Sequence, residues 1–401
     1  MKKVFIVAAK RTAVGSFLGS LKNVHPADLG AALVKDVLAS TKLKGTEIDE
    51  VIIGNILSAG LGQGVARQVA LKGGIDQSVP AYSLNMICGS GMKAVLNAYT
   101  SIGAGVNHLV LAGGVESMSR APLLLNESVR GGMKMGDLVA RDHMILDALT
   151  DAFNNVHMGI TAENIAEKYN ISREEQDAFA LDSQHKAIKA VDAGRFDDEV
   201  LPLTVRVGRE EVVFARDEYP NRTTNLEKLA RLRPAFKKDG SVTAGNSSGI
   251  NDGASLLLLA SEEAVAKYNL TPLAEVVSVG QAGVDPLYMG LGPVPAIRKA
   301  LKNAKLTLQD MDLIELNEAF ASQSLGVLKE LSAEHNESVE SILKRTNVNG
   351  GAIALGHAVG NSGSRIIVTL IYEMAKQNAK LGLASLCIGG GMGTAVVLKR
   401  V

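Results

Sequence analysis

Strand-like apolar runs alternate with amphipathic stretches at both ends of the chain. The clearest runs cover residues 4–8, 51–53, 108–112, 255–259 and 276–279. An apolar run without polar alternation is typical of a strand that is covered on both faces. Residues 26–38, which begin at a proline, have the apolar spacing of a helix. This alternation predicts an α/β fold with a mixed, mainly parallel sheet and helices on both of its faces.

Residues 119–244 interrupt the alternation, because strand-like runs are scarce there. Residues 120–142 are irregular, and residues 161–169 have helical spacing. Ser172 and Glu175 form a capping-box pattern, which predicts a further helix that extends to about residue 191. We therefore expect residues 119–244 to form an inserted loop subdomain.

An internal repeat relates the two ends of the chain. Three segments of the first half have similar segments in the second half, in the same order and direction. Residues 37–51 resemble residues 263 positions later, Ser90-Gly91 resembles the pair 272 positions later, and residues 109–114 resemble residues 276 positions later. The period is far too long for a solenoid. The repeat predicts duplicated α/β halves, with the first formed by residues 1–118 and 245–270 and the second by residues 271–401.

Length and composition favour a globular protein with more than one hydrophobic core and disfavour several other classes. A chain of 401 residues exceeds what one hydrophobic core usually supports. Its 42 basic and 42 acidic residues balance, so charge gives no reason to expect a nucleic acid or an anionic membrane as partner. No apolar run approaches membrane-spanning length. Only two cysteines are present, which favours a reducing, cytoplasmic location over a secreted disulfide framework.

Cys88 is the first candidate for chemistry. It ends an apolar approach, and Gly89 and Gly91 follow before helical spacing begins. The N–H groups and dipole at a helix N-terminus stabilise a thiolate, so we interpret Cys88 as a nucleophile. An inert buried thiol is the open alternative at this point. Residues 89–94 also fit a dinucleotide-binding pattern, but the acidic residue that should follow about 20 positions later is missing.

Three segments of the second half place polar residues where strands lead into helices. Asn317 follows a strand, His357 ends a glycine-rich segment, and Cys387 precedes several glycines. Open α/β sheets build their sites at such turns. By the repeat, the turn at Cys88 corresponds to residues 356–363, so Cys88 and His357 are expected to face each other. Metal ligands at short local spacings are lacking, so no metal site is expected.

Four segments resemble, in order, the motifs of the thiolase family: residues 85–91, 317–321, 350–357 and 387–391. The resemblance runs from end to end of the chain. Residues 157–164 and the length of the insert are most similar to the acetyl-CoA acetyltransferases of this family. One departure lies beside the histidine, where the family usually has proline at position 358 and alanine at position 361. Here Ala358 and Asn361 stand instead.

The resemblance implies a reversible, ping-pong Claisen condensation of two acetyl-CoA molecules to acetoacetyl-CoA and CoA. Cys88 carries the acyl group, His357 accepts its proton, and Cys387 removes a proton from the second acetyl-CoA. Asn317 positions a water that stabilises one oxyanion together with His357. The N–H groups of Cys88 and Gly389 stabilise the other oxyanion. No cofactor is implied, because the CoA thioesters are substrates.

The resemblance also assigns binding residues and an assembly. The pantetheine channel is expected to be lined by Leu149, His157, Met158, Phe236, Ala244, Ser248, Ala319 and Phe320. Arg222 is expected to contact the CoA phosphates. A homotetramer, a dimer of dimers, is expected, with residues 120–142 as its tetramer loop.

Three alternatives share the fold. A 3-ketoacyl-CoA thiolase would have the same catalytic residues but accept longer chains. A carrier-protein-dependent condensing enzyme resembles a Cys-His-His arrangement, so the second cysteine argues against it. A non-catalytic acyl-CoA or lipid carrier is disfavoured because Cys88, His357 and Cys387 are all present.

Overall fold

The computed structural model describes residues 2–401. Its strands β1 to β14 are Val4–Arg11, Gly15–Ser16, Glu50–Gly54, Ala81–Leu84, Leu109–Ser117, Leu123–Leu125, Ala140–Asp142, Leu203–Val207, Glu210–Phe214, Asn251–Ser261, Ala274–Gly283, Leu313–Leu316, Leu381–Ile388 and Met392–Arg400. Its α-helices α1 to α13 are Pro26–Thr41, Val65–Gly73, Ser90–Gly103, His143–Asp147, Met158–Lys168, Arg173–Asp192, Leu226–Ala230, Glu262–Tyr268, Pro293–Ala304, Ala321–His335, Val339–Lys344, Ala352–Leu355 and Val359–Lys376.

Ten strands form one mixed sheet in the order β12-β13-β14-β11-β1-β10-β5-β3-β4, with β2 paired to β10. Only β3–β4, β3–β5 and β12–β13 are parallel pairs in this sheet. The α/β class is confirmed, but antiparallel pairs outnumber the parallel pairs that we expected. A continuous apolar run indicates that a strand is covered on both faces, and it does not report the direction of the neighbouring strand.

Helices cover the sheet on both faces and also form a middle layer. In that layer α3 packs against α13, and their buried side chains meet the strands of both halves in one apolar cluster. The other face of the first-half strands is covered by α1 and α2. The other face of the second-half strands is covered by α9 and α10. The turns that precede α3 and α13 therefore lie between the two halves.

The two halves repeat each other in detail. The C-caps of α1 and α9 are lysines with left-handed backbone, Lys42 and Lys305. They lie 263 residues apart, as the repeat in the sequence predicts. Asp49 accepts hydrogen bonds from the N–H groups of residues 108 and 109. Asp312 accepts the same bonds from residues 380 and 381. The equivalent hydrogen bonds show that each residue of β5 corresponds to the residue of β13 that lies 272 positions later.

The offset of 276 that the sequence suggested for these strands is therefore wrong by four residues. Gly113 and Gly114 lie inside β5, whereas Gly389 and Gly390 follow the end of β13. A Cβ on Gly113 would lie 2.0 Å from the carbonyl oxygen of Ser255, and one on Gly114 would lie 2.2 Å from that of Gly360. These glycines thus permit close packing within the fold and do not end a strand.

The crossing of α3 and α13 is reciprocal. A Cβ on Gly91 would lie 2.6 Å from Ser364 Oγ, and one on Gly363 would lie 2.6 Å from the backbone nitrogen of Met92. The two contacts correspond residue by residue, because Gly363 lies 272 positions after Gly91 and Ser364 lies 272 positions after Met92. A pseudo-twofold axis requires this correspondence. Cys88 and His357, which immediately precede these helices, are thereby brought to the same end of the middle layer.

The inserted residues contain two short hairpins, β6–β7 and β8–β9, and helices α4 to α7. The predicted capping box is present, because Ser172 Oγ accepts from the Glu175 N–H and Glu175 accepts from the Ser172 N–H. The insert packs on the second half through α5 against α10 and α6 against α12. Within residues 2–401 no helix is both long and apolar enough to cross a bilayer.

Candidate active site

A cleft of about 480 Å³ lies beside the turns that precede α3 and α13. The side chains of Cys88, His357 and Cys387 all line it, although they come from three separate turns or strands. The cleft is also lined by all eight of the predicted channel residues, namely Leu149, His157, Met158, Phe236, Ala244, Ser248, Ala319 and Phe320. The structure therefore brings residues of both halves and of the insert together.

Cys88 lies in a strained turn between β4 and α3. The preceding residue, Ile87, has a φ of 47°, which is unfavourable for a β-branched side chain. Asn85 Oδ1 accepts from the Ile87 N–H at 2.9 Å. Ser90 Oγ accepts from the Met86 N–H at 2.8 Å and donates to the Ile87 carbonyl at 2.7 Å. These hydrogen bonds stabilise the strained backbone conformation of Ile87 and orient Cys88 towards the cleft, as in many functional turns.

Burial raises the pKa of the Cys88 thiol to about 11. The N–H groups of Gly389 and of Cys88 itself favour the thiolate, whereas the charge of Glu116 disfavours it. Backbone N–H groups thus favour the thiolate, as predicted, but burial has the larger effect. Desolvation disfavours a charged sulfur more than these N–H groups favour it, so Cys88 is a neutral thiol at neutral pH.

His357 is a neutral imidazole held by two hydrogen bonds. Its backbone N–H donates to Asn251 Oδ1 at 2.8 Å, and its Nδ1 lies 2.6 Å from Ser362 Oγ. Ser362 donates its own hydrogen to the Ala358 carbonyl at 3.0 Å, so we assign the imidazole proton to Nδ1. Burial, followed by the charge of Arg365, lowers the pKa of His357 to about 4. The lone pair of Nε2 is thus available to accept a proton.

Cys387 is buried near the end of β13, beside Met158, Met289 and Phe320. Burial raises the pKa of Cys387, and the nearby thiol of Cys88 raises it further. Gly389 follows β13, and its N–H favours the thiolate form of Cys88. The end of β13 therefore supplies both a second thiol and a backbone donor to the site.

Asn317 is not among the residues that line the cleft, and it lies directly after β12. Its backbone N–H donates to the Ser385 carbonyl at 3.0 Å, and its side chain is 1% exposed. Neither Oδ1 nor Nδ2 of Asn317 has a hydrogen-bond partner within residues 2–401. A buried carboxamide in that state is destabilising unless it binds a polar ligand. Asn317 is therefore suited to hold a small polar molecule.

Comparison with known proteins assigns the family. The thiolase N-terminal domain matches residues 4–263, and the thiolase C-terminal domain matches residues 270–400. This chain belongs to the thiolase family. It is 51% identical to a probable acetyl-CoA acyltransferase of Staphylococcus aureus (strain COL) and 50% identical to an acetyl-CoA acetyltransferase of Allochromatium vinosum, in each case over 100% of both chains. The thiolase is accordingly an acyltransferase, as the sequence predicted.

Two crystal structures are similar to this thiolase over its whole length. The acetyl-CoA acetyltransferase of Bacillus anthracis has a TM-score of 0.95 and 44% identity and covers 100% of this chain and 99% of its own. The human mitochondrial 3-ketoacyl-CoA thiolase has a TM-score of 0.94 and 45% identity with the same coverage. The predicted thiolase-like fold is thereby confirmed.

Aromatic rings stiffen one wall of the thiolase cleft. His157 stacks on Phe236 with ring centroids 4.7 Å apart, and Phe236 meets Phe320 edge to face at 6.1 Å. His157 Nδ1 accepts from the Gly159 N–H at 3.0 Å, and burial lowers the pKa of this histidine. A neutral His157 thus serves as part of an apolar wall.

Arg222 is the one predicted binding residue that does not line the cleft. Its guanidinium forms two hydrogen bonds with Asp192 at 2.6 and 2.9 Å, and both side chains are exposed. Its suggested contact with CoA phosphates stays a prediction.

Further lining residues were missed by the sequence reasoning: Ser16, Phe17, Met118, Ile145, Ala148, Tyr219, Ala235, Ser247, Gly249, Ile250, Met289 and Val359. Most are apolar and come from scattered segments, so they have no signature of chemistry. Only Val359 had a local signal, because it lies two residues after His357.

Proposed function

We propose that this thiolase is an acetyl-CoA C-acetyltransferase, which condenses two acetyl-CoA molecules reversibly to acetoacetyl-CoA and CoA. The observation that carries the proposal is the convergence of Cys88, His357 and Cys387 on one cleft. The names of the relatives from Allochromatium vinosum and Bacillus anthracis support the choice of substrate.

The first half-reaction acylates Cys88. Its sulfur attacks the thioester carbonyl of acetyl-CoA while its proton passes to Nε2 of His357, because the resting pair is neutral. The N–H groups of Cys88 and Gly389 donate to the oxyanion of the tetrahedral intermediate. The carbon–sulfur bond to CoA then breaks, and Cys387 protonates the departing CoA thiolate. Acetyl-Cys88, a Cys387 thiolate and protonated His357 remain.

The second half-reaction forms the carbon–carbon bond. The Cys387 thiolate removes a proton from the methyl carbon of a second acetyl-CoA, and the carbanion attacks acetyl-Cys88. The developing enolate oxygen accepts hydrogen bonds from protonated His357 and from a water held by Asn317. The Cys88 thiolate leaves as acetoacetyl-CoA forms, and His357 returns its proton to Cys88. Thiolysis is the reverse sequence.

The apolar wall suits the pantetheine arm of CoA. His157, Phe236 and Phe320 offer ring faces and edges. The Ser248 N–H donates to the Ala319 carbonyl at 3.0 Å, which ties two further lining residues together. Binding of the thioester by this channel requires no cofactor. The two free thiols, Cys88 and Cys387, support a cytoplasmic location.

The decisive test of the chemistry is Cys88→Ser. We expect acetoacetyl-CoA thiolysis to fall by at least about a thousandfold, because the acyl-carrying nucleophile is lost. Mass spectrometry of the wild-type enzyme with acetyl-CoA should locate one acetyl group on Cys88. Full activity of the variant, or acetylation elsewhere, would contradict the proposal.

A 3-ketoacyl-CoA thiolase is the second candidate, favoured by the apolar side chains of Met118, Ile145 and Leu149 in the cleft and by the similarity to the human enzyme. Kinetics with acetoacetyl-CoA and a longer 3-ketoacyl-CoA separate the two. We expect kcat/KM to favour acetoacetyl-CoA by about tenfold or more, which corresponds to about 1.4 kcal/mol. Comparable values would assign a broad chain-length range.

A further inference from the structure

Glu116 is a buried carboxylate that the reaction above does not use. It lies near the end of β5, opposite Gly253 of β10, and none of its side chain is exposed. A buried carboxylate is unfavourable unless hydrogen bonds compensate for its lost hydration. The partners of Glu116 therefore indicate what its position provides.

Four donors surround the two oxygens of Glu116. Oε1 accepts from Asn55 Nδ2 at 2.9 Å and from the Leu57 N–H at 3.2 Å. Oε2 accepts from the Ile56 N–H at 3.0 Å and from the Gly360 N–H at 3.1 Å. Residues 55–57 follow β3 in the first half, whereas Gly360 lies in the first turn of α13 in the second half. One carboxylate thus joins the two halves of the molecule.

The segments that Glu116 joins surround the reacting groups. Ile56 and Leu57 share an apolar cluster with Val359, and Ile87 and Cys88 pack against that cluster. Gly360 follows His357 by three residues, and a Cβ on Gly360 would lie 2.5 Å from Glu116 Oε2. The carboxylate therefore fixes the first turn of α13 against the side of the site that carries Cys88.

We propose that Glu116 is a positioning residue, whose carboxylate holds the first turn of α13, and with it His357, in register with Cys88. The inference rests on the proposed function, because it concerns the proton transfer from Cys88 to His357. Glu116 acts through Gly360 and residues 55–57, and it touches neither thioester.

The charge of Glu116 has a separate effect. It raises the pKa of Cys88, which adds to the effect of burial. Burial raises the pKa of Glu116 itself to about 7, so this carboxyl group is ionised in the alkaline range where Cys88 titrates. The titratable groups around Cys88 are Glu116 on β5, His357 before α13 and Cys387 on β13, and Asp252 on β10 faces Glu116. Removing the charge and shortening the side chain should therefore have distinguishable consequences.

Two variants separate charge from reach. Glu116→Gln keeps the length of the side chain, but an NH₂ group replaces one carboxylate oxygen. Two donors face each oxygen position, so in either orientation of the amide the hydrogen bonds to Gly360 or to residues 55–57 are lost. Glu116→Asp keeps the charge but cannot span both segments. For both we expect kcat of acetoacetyl-CoA thiolysis to fall by about a hundredfold with little change in KM, because small misplacements of reacting groups have effects of that size.

Alkylation of Cys88 by iodoacetamide gives a second readout that needs no thioester. We expect its pH midpoint to shift to lower pH in Glu116→Gln and to stay at the wild-type value in Glu116→Asp. The matched control is Glu373→Gln on the same helix, whose carboxylate accepts from Arg195, Asn349 and Gln377 far along α13. It should lower the thermal midpoint of unfolding while kcat stays within about twofold of wild type.

Wild-type kcat in both Glu116 variants would overturn the positioning role, and so would an equal loss of kcat in Glu373→Gln. Wild-type kcat in Glu116→Asp alone would show that charge matters and reach does not, which also overturns it. If Glu116→Gln does not fold, Glu116→Asp decides the question. Wild-type protein that cleaves no 3-ketoacyl-CoA would contradict the proposed function instead, while the alkylation midpoints would still test the effect of Glu116 on Cys88.

Discussion

Single residues of the site are set by burial more than by their neighbours in sequence. Cys88 stands before a helix, yet desolvation leaves it a neutral thiol, and the same effect keeps His357 neutral. In the proposed reaction, a neutral pair requires the proton to move during attack on the thioester. The residue types were evident from the sequence, but their protonation states depend on how completely the fold removes water.

Ala358 is one of the two residues at which the chain departs from the usual motif of its family. Its φ is −70° and its ψ is 97°, which a proline adopts readily, and its N–H makes no hydrogen bond within residues 2–401. Replacement of the usual proline therefore leaves the folded geometry intact and mainly adds freedom to the unfolded chain.

We predict that Ala358→Pro raises the free energy of unfolding by about 0.4–1 kcal/mol, because proline restricts the unfolded chain. Chemical denaturation measures this change. Ala358→Gly is the matched control and should shift the free energy of unfolding in the opposite direction. A destabilised Ala358→Pro protein would mean that the ring clashes with the packing around His357.

Among the elements, the crossing of α3 with α13 controls the site. Both helices place a glycine at the crossing, and each glycine meets the backbone or side chain of its partner helix. The distance between the helices, and therefore the distance between Cys88 and His357, is set by the absence of two Cβ atoms.

We predict that Gly91→Ala and Gly363→Ala each reduce the free energy of unfolding by about 1–3 kcal/mol, since an added methyl group must push the helices apart. Both should also lower kcat of thiolysis. Gly131→Ala is a suitable control, because the nearest atom to its Cβ would be 3.6 Å away. Stability and kcat equal to those of the control would show that the crossing tolerates a wider spacing.

The sequence predicted elements well where the signal is local. Pro26 begins α1, and the Ser172 capping box begins the helix that follows it. It failed at β5, where the apolar run covers residues 108–112 but the strand continues through Gly113 and Gly114 to Ser117. The reason for those glycines is the approach of Ser255 and Gly360, which are distant in sequence.

At the scale of the whole molecule, the β6–β7 hairpin exposes apolar side chains to solvent. Leu123 and Leu125 are 66% and 52% exposed, and Met135, Leu138 and Val139 beside them are also exposed. Contiguous exposed apolar side chains on a stable protein are typical of an interface. This supports the expected tetramer loop.

We predict that wild-type protein is a tetramer in size-exclusion chromatography with light scattering, and that Leu123→Ser combined with Leu125→Ser yields dimers. The reason is the loss of apolar surface that association buries. Val213→Ser, at another exposed hairpin position, should leave the tetramer intact. A monomeric or dimeric wild type would exclude this role for the hairpin.

By itself the sequence determined the α/β class, the duplication and the thiolase family, and it indicated Cys88, His357, Cys387 and Asn317 as candidates for chemistry, because each depends on local pattern or on motif order. Only the tertiary structure decided the direction of the strand pairs, the lining of the cleft, the protonation of Cys88 and His357 and the contacts of Glu116. These depend on burial and on the approach of residues far apart in the chain, such as Glu116 and Gly360, and no periodicity along the sequence records such distances.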